Sequence, residues 1–179
     1  MDKQKRQQQK KNVIEVLNKA RSMELHAISQ YMNQHYNLDD MDYGELAAKV
    51  KLIAVDEMRH AEDFAERVKE LGGEPTAELA AKVQKGQEID KIFPFDSNQE
   101  DNTIAEYNQF LKVCQDNGDS VTAKIFETII DDEQAHLNYF DNIADHIKDL
   151  GDTYLAQIAG TQVSAGLNSP GFVTKQGGA

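Results

Sequence analysis

The chain of 179 residues has one cysteine, Cys114, no tryptophan and three prolines. One thiol forms no intrachain disulfide and builds no four-cysteine metal site, so a reducing, cytoplasmic setting is expected. No apolar run approaches the ~20 residues that a membrane-spanning helix needs. The first eleven residues are polar and charged, and they lack the apolar stretch of a secretory leader. Basic residues are scarce too: 19 Lys and Arg stand against 31 Asp and Glu, a net charge of -12. Five of them (Lys3, Lys5, Arg6, Lys10 and Lys11) lie in residues 1–11, which leaves 30 acidic and 14 basic residues in the body. Such a body repels nucleic acid and attracts cations. The basic segment 1–11 reads as a short solvated arm.

What is present fits a soluble globular domain with a buried core: the apolar share is 40% and the charged share 28%. Four long segments repeat apolar residues in steps of three and four, the mark of a helix with one buried face. The first, from about Asn12 to Tyr36, aligns Val13, Leu17, Ala20, Glu24, Ala27 and Tyr31. The second, from about Tyr43 to Leu71, aligns Leu46, Val50, Ile53, Glu57, His60, Phe64, Val68 and Leu71. The third carries Glu100, Ile104, Tyr107, Leu111 and Cys114. The fourth follows Asp119, an expected N-cap, with Thr122, Phe126, Ile129, Glu133, His136, Phe140, Ile143 and Ile147.

The breaks read as clearly. Asn37–Asp40 is a short connection that sets the first two helices antiparallel. Gly72-Gly73-Glu74-Pro75 stops the second helix, and Asn117-Gly118 turns between the third and fourth. A helix of the second segment's length is about 43 Å long, so a chain crossing it extended needs at least ~13 residues. The weakly patterned stretch from Gly72 to Asn98 is long enough, and its last part, from about Glu88, extends the third helix on an alternative reading. After Gly151 a short apolar piece (Tyr154, Leu155, Ile158) fits a stubby fifth helix, and 161–179, rich in Gly, Ser and Gln, reads as a loosely ordered tail. The expectation is an all-α four-helix bundle over 12–160 with one long crossover and a short C-terminal helix.

Four carboxylates interrupt the apolar stripes: Glu24, Glu57, Glu100 and Glu133. A buried carboxylate is costly unless it is paired or bound to a metal. Taken alone, each fits the edge of its stripe, reaching water, and a lone Glu-x-x-His is usually a solvated pair. The set says more. Each helix offers one inward Glu, and two of them add a His one turn later, as Glu57-Met-Arg-His60 and Glu133-Gln-Ala-His136. Residues three apart share a helix face, so each pair can reach one ion. Four negative charges balance two divalent cations, and oxygen-rich ligation with one imidazole per ion suits iron or manganese better than zinc. One Glu from each of two helices, with Glu-x-x-His from each of the others, is the ligand pattern of ferritin-like di-iron proteins.

With these residues in place the chain resembles the bacterioferritins from about Asn12 to Ile158. The resemblance rests on Glu24-Leu-His-Ala-Ile-Ser-Gln-Tyr31, Asp56-Glu-Met-Arg-His-Ala-Glu62 and Asp131-Asp-Glu-Gln-Ala-His136. It implies Glu24, Glu57, His60, Glu100, Glu133 and His136 as ligands of a ferroxidase centre, with Glu57 and Glu133 as bridges. Tyr31 matches a family tyrosine that can supply an electron. Met58 matches a methionine that ligates a haem iron from both subunits of a two-fold dimer, with Arg59 near a porphyrin carboxylate. Leu52, Val55, Leu25, Ile28 and Met32 make a second apolar strip on the Met58 side. The resemblance further implies a hollow shell of twenty-four chains, Fe(II) with O2 or H2O2 as substrates, and a small electron-donor protein as partner. The chain departs from some relatives at Leu52, where they have His, and at Tyr139, where they have Trp. The alternative is a di-iron oxidase or peroxidase of the same fold that stores nothing.

Overall fold

The computed structural model describes residues 3–161 and 171–173. It contains five helices: α1 Lys3–Asp40, α2 Gly44–Glu70, α3 Ile89–Asp116, α4 Ser120–Leu150 and α5 Asp152–Ile158. The expected all-α bundle with its short fifth helix is the observed architecture. Of the tail segment 161–179, only Thr161 and 171–173 are among the described residues.

Two boundaries differ from expectation, both in α1. It begins at Lys3, because the Lys, Arg and Gln of the basic segment are good helix formers that extend the helix at little cost. It also runs through Asn37–Asp40, where a loop was expected. Leu38 is fully buried there and holds the last turn in the core. The chain reverses only at Met41–Tyr43, with Asp42 at φ 69° and the Tyr43 N–H donating to the Leu38 carbonyl over 2.9 Å. The α3–α4 turn is as read: Gly118 has φ 71°, and the Asp119 side chain accepts from the Thr122 N–H over 3.0 Å. Arg67 near the end of α2 donates to both Asp119 carboxylate oxygens at 2.9 Å, which ties that cap to α2.

Tyr31 meets Glu100, and seven residues earlier on α1 Glu24 meets Tyr107, seven residues later on α3. α1 and α3 are therefore antiparallel. Since α1 and α2 are antiparallel as well, α2 and α3 run the same way, and only a connection as long as a helix can join them. Residues 71–88 make it, and α1 guides it. Asn18 donates to the Glu74 carbonyl at 3.0 Å and accepts from the Thr76 N–H at 2.8 Å. Gln30 makes the same double contact with Gln84, at 3.0 and 2.8 Å. α3 starts at Ile89, and Pro94 within its second turn costs one hydrogen bond, to the Asp90 carbonyl.

The core has two apolar parts. One, at the α1–α2 turn, holds Leu38, Val50, Ile53, Ile92, Phe93 and Phe140. The other, at the α3–α4 turn, holds Leu17, Phe64, Val68, Tyr107, Cys114 and Phe126. On α3 the buried stripe is Glu100, Thr103, Tyr107, Phe110 and Cys114. Ile104 and Leu111, expected inward, are half-buried. The layer between the two apolar parts is polar, and all four long helices contribute to it.

Candidate metal centre

Glu24 on α1, Glu57 and His60 on α2, Glu100 on α3, and Glu133 and His136 on α4 are all buried, none more than 4% exposed. Their donor atoms converge in two overlapping groups. Glu24, Glu57, His60 and Glu133 form one, and Glu57, Glu100, Glu133 and His136 form the other, with all donor atoms of a group within 4.8 Å of one another. Glu57 and Glu133 belong to both. The His60 Nδ1 lies 2.9 Å from Glu57 Oε2 and 3.3 Å from Glu133 Oε1. The His136 Nδ1 lies 3.3 Å from Glu133 Oε2 and 3.2 Å from Glu57 Oε1. The imidazole centroids are 6.1 Å apart.

Two observations favour cations at this layer. Glu57 Oε1 and Glu133 Oε1 are buried, and the imidazole Nδ1 that each faces, at 3.2 and 3.3 Å, is already bonded to the other carboxylate, a costly state for a carboxylate oxygen unless a cation meets it. The protonation pattern says the same. Burial, then the Glu133 and Glu57 charges, push the Glu24 and Glu100 carboxyls well above their ordinary value. Burial alone would lower His60 and His136, but the surrounding carboxylates raise both above the ordinary imidazole range. Burial alone would raise Glu133, yet its hydrogen bonds to His136 and His60 pull it down. The metal-free layer thus holds protons where two cations would bring their charge.

The outer sides of both imidazoles are also fixed. His60 Nε2 faces Asp132 Oδ2 at 3.3 Å, and His136 Nε2 faces Asp56 Oδ2 at 3.4 Å. Each pair presents Nδ1 to the ligand layer, as carboxylates behind metal-binding histidines do. The Tyr107 hydroxyl donates to Glu24 and the Tyr31 hydroxyl to Glu100, so each carboxylate outside the shared pair is oriented by a buried phenol. Gln99 in turn donates to the Tyr31 oxygen at 3.3 Å. Gln99 also lines a pocket on the α1–α3 side, with Met23, His26, Asn102 and Thr103 among others.

The Asp56 and Asp132 contacts had a signal in the sequence that the six-residue reading passed over. The repeat is Asp-Glu-x-x-His, and each Asp serves the His of the other copy. Tyr107 was read only as part of an apolar stripe.

The ferritin-like domain family matches residues 14–150. Bacterioferritin from Desulfovibrio desulfuricans is 68% identical over 169 residues, 94% of each chain. The chain belongs to the bacterioferritin family. A relative from Streptomyces coelicolor is 33% identical over 82% of this chain and 88% of its own. The fold agrees with the family. The crystal structure of the D. desulfuricans protein, determined to follow its diiron site in different catalytic states, has TM-score 0.90 at 67% identity and covers 93% of this chain and 98% of its own. Mycobacterium tuberculosis bacterioferritin BfrA has TM-score 0.78 at 30% identity, over 82% and 93%.

The structure also places Met58 and the second apolar strip. Met58, next to the buried Glu57, is 53% exposed and points away from the metal layer. Val55, Leu25, Ile28 and Met32 are half-buried, whereas Leu52, expected on the same strip, turns into the core. No described helix is long and apolar enough to cross a membrane.

Proposed function

We propose that this chain is an iron-storage ferroxidase acting in the cytoplasm as a shell of twenty-four copies built from two-fold dimers. The observation that carries this reading is the pair of buried donor groups sharing Glu57 and Glu133. Each group offers three carboxylates and one imidazole, the donors that suit iron. Glu24 and His60 hold one Fe(II), Glu100 and His136 the other, and the shared carboxylates hold both. Each Fe(II) gives up one electron. O2 takes the pair with two protons and leaves as H2O2, or H2O2 takes them with two protons and leaves as two H2O. Tyr31, whose hydroxyl donates to Glu100, would supply the second electron, with its hydroxyl proton, where only one Fe(II) is bound. Fe(III) then passes to a mineral inside the shell, and the acidic body of the chain attracts iron to it.

An anaerobic Fe(II) titration of the metal-free protein, followed by O2, tests the reading. The expected result is a fast phase of about two irons per chain, one for each donor group, then continued uptake into a soluble particle. Saturation at two irons without further uptake would leave a di-iron oxidase and remove storage.

The family resemblance also implies haem, and the residues here fit it. Met58 offers an exposed thioether on a face with half-buried apolar neighbours, so two copies related by a two-fold axis can present one methionine each to a flat apolar group. A thioether favours reduced iron and raises its potential. Such a group would carry electrons inward when stored iron is reduced for release, with a small electron-donor protein as their source. Met58→Leu is expected to assemble normally but purify with little or no porphyrin. Unchanged porphyrin absorbance per shell would remove Met58 as the ligand.

A further inference from the structure

The two halves of the metal centre look alike in sequence but not in their surroundings. Both imidazoles send Nε2 into the seam between α2 and α4, where each meets a carboxylate. The Asp132 side chain behind His60 is 29% exposed, whereas that of Asp56 behind His136 is 5% exposed. Asp56 is covered by the Arg59 guanidinium, which donates to its Oδ1 over 3.2 Å, and by a short piece of chain near the C-terminus. The Val173 N–H donates to Asp56 Oδ2 over 3.0 Å. The Phe172 ring is buried in the apolar core part nearest the α1–α2 turn. Its centroid lies 5.2 Å from that of Tyr139 and 6.1 Å from that of His136, and Lys49 Nζ sits 5.6 Å from it. Gly171 passes so close to α2 that a Cβ there would fall 1.5 Å from Asp56 Oδ1. A backbone donor, a buried aromatic ring and a glycine-only approach thus converge on one side of one histidine. Among the described residues nothing comparable lies over Asp132.

We propose that Gly171–Val173 seals the His136–Asp56 half of the α2–α4 seam and leaves the His60–Asp132 half as the passage between the metal centre and that face of the bundle. The proposal rests on the reading of the buried cluster as a two-ion centre. It makes the two ions unequal: the one on His60 exchanges past a partly exposed carboxylate, and the one on His136 is held behind the seal. Val173 also positions His136, because its N–H fixes the carboxylate that orients the imidazole. Loss of such an outer partner weakens a metal site about 10- to 100-fold.

Release of Co(II) to excess chelator tests this, followed by ligand-field absorbance on the assembled full-length protein. The unaltered chain is expected to bind two Co(II) and release them in two phases of equal amplitude. Gly171→Val, which drives the segment off Asp56, should speed the slow phase about tenfold and leave the fast one as it was. Phe172→Ala, which only empties the ring's place, should act the same way, so the result does not hang on one substitution. Unchanged phases in both variants, acceleration of the fast phase alone, or a single phase in the unaltered chain would overturn the seal and leave the two-ion centre standing. Binding of fewer than two Co(II) by the unaltered chain would overturn the two-ion reading, and the seal with it.

Discussion

Glu133→Ala is expected to abolish the fast phase of Fe(II) oxidation, slowing it by at least about 100-fold, the upper end of what loss of a mere outer partner costs a metal site. Glu133, like Glu57, differs from Glu24 and Glu100 in that its two oxygens face different imidazoles, His60 from Oε1 and His136 from Oε2. Its loss therefore damages both donor groups at once, and each ion keeps only two carboxylates. Charge balance fails as well, since three carboxylates do not neutralise two divalent cations. Glu133→Gln keeps the shape and removes the charge, so it separates the two causes. If charge decides, the glutamine variant is as slow as the alanine variant. Glu127→Ala, at an exposed carboxylate on the same helix, should leave the rate unchanged. Stopped-flow absorbance after mixing anaerobically loaded protein with O2 reads all three. An unaltered fast phase in Glu133→Ala would remove the cluster as the site of oxidation.

The six-residue cluster was legible because its residues break a pattern. An inward Glu in an apolar stripe is anomalous on each helix, and four such anomalies at matching depth leave few arrangements other than a shared site. The same logic failed where no anomaly exists. Tyr107 fits an apolar stripe, and nothing in the sequence says that its hydroxyl meets Glu24. On α3, steps of four favoured Ile104 and Leu111, while the seam with the neighbouring helices buries Thr103 and Phe110. Composition misled at the α1–α2 turn: Asn37-Leu-Asp-Asp40 has the residues of a loop, but burial of Leu38 outweighs them. Phe172 was out of reach for a different reason. It is far along the chain from the His136 and Asp56 it covers, in a segment without helical period. Contacts of that kind depend on where the chain returns, which local patterning does not record.

Loading the centre with two divalent ions is expected to release about four protons per chain at weakly acidic pH, one from each group that binds a cation only after losing its proton. Those groups are Glu24, Glu100, His60 and His136, all held above their ordinary values in the metal-free fold. The direction for stability follows from the same shifts. Each of the four binds its proton more tightly folded than unfolded, so the fold carries more protons than the unfolded chain once pH exceeds the ordinary values, first of the carboxyls and then of the imidazoles. Their contribution is thus fully present below those values and is lost as pH rises through the folded ones. Glu133, shifted down, works the other way: its contribution is present above the ordinary carboxylate value and disappears only as pH falls through its lowered one. The four groups outnumber the one, so the metal-free protein should lose thermal stability as pH is raised from 6 towards 9. Metal binding demands the deprotonated forms, so the stabilisation gained from Co(II) should grow over the same range. A pH-stat titration counts the protons, and melting curves with and without Co(II) test the crossing trends. Proton release near zero, or metal-free stability that rises with pH, would mean that the carboxylates and imidazoles are not the groups the ions displace protons from.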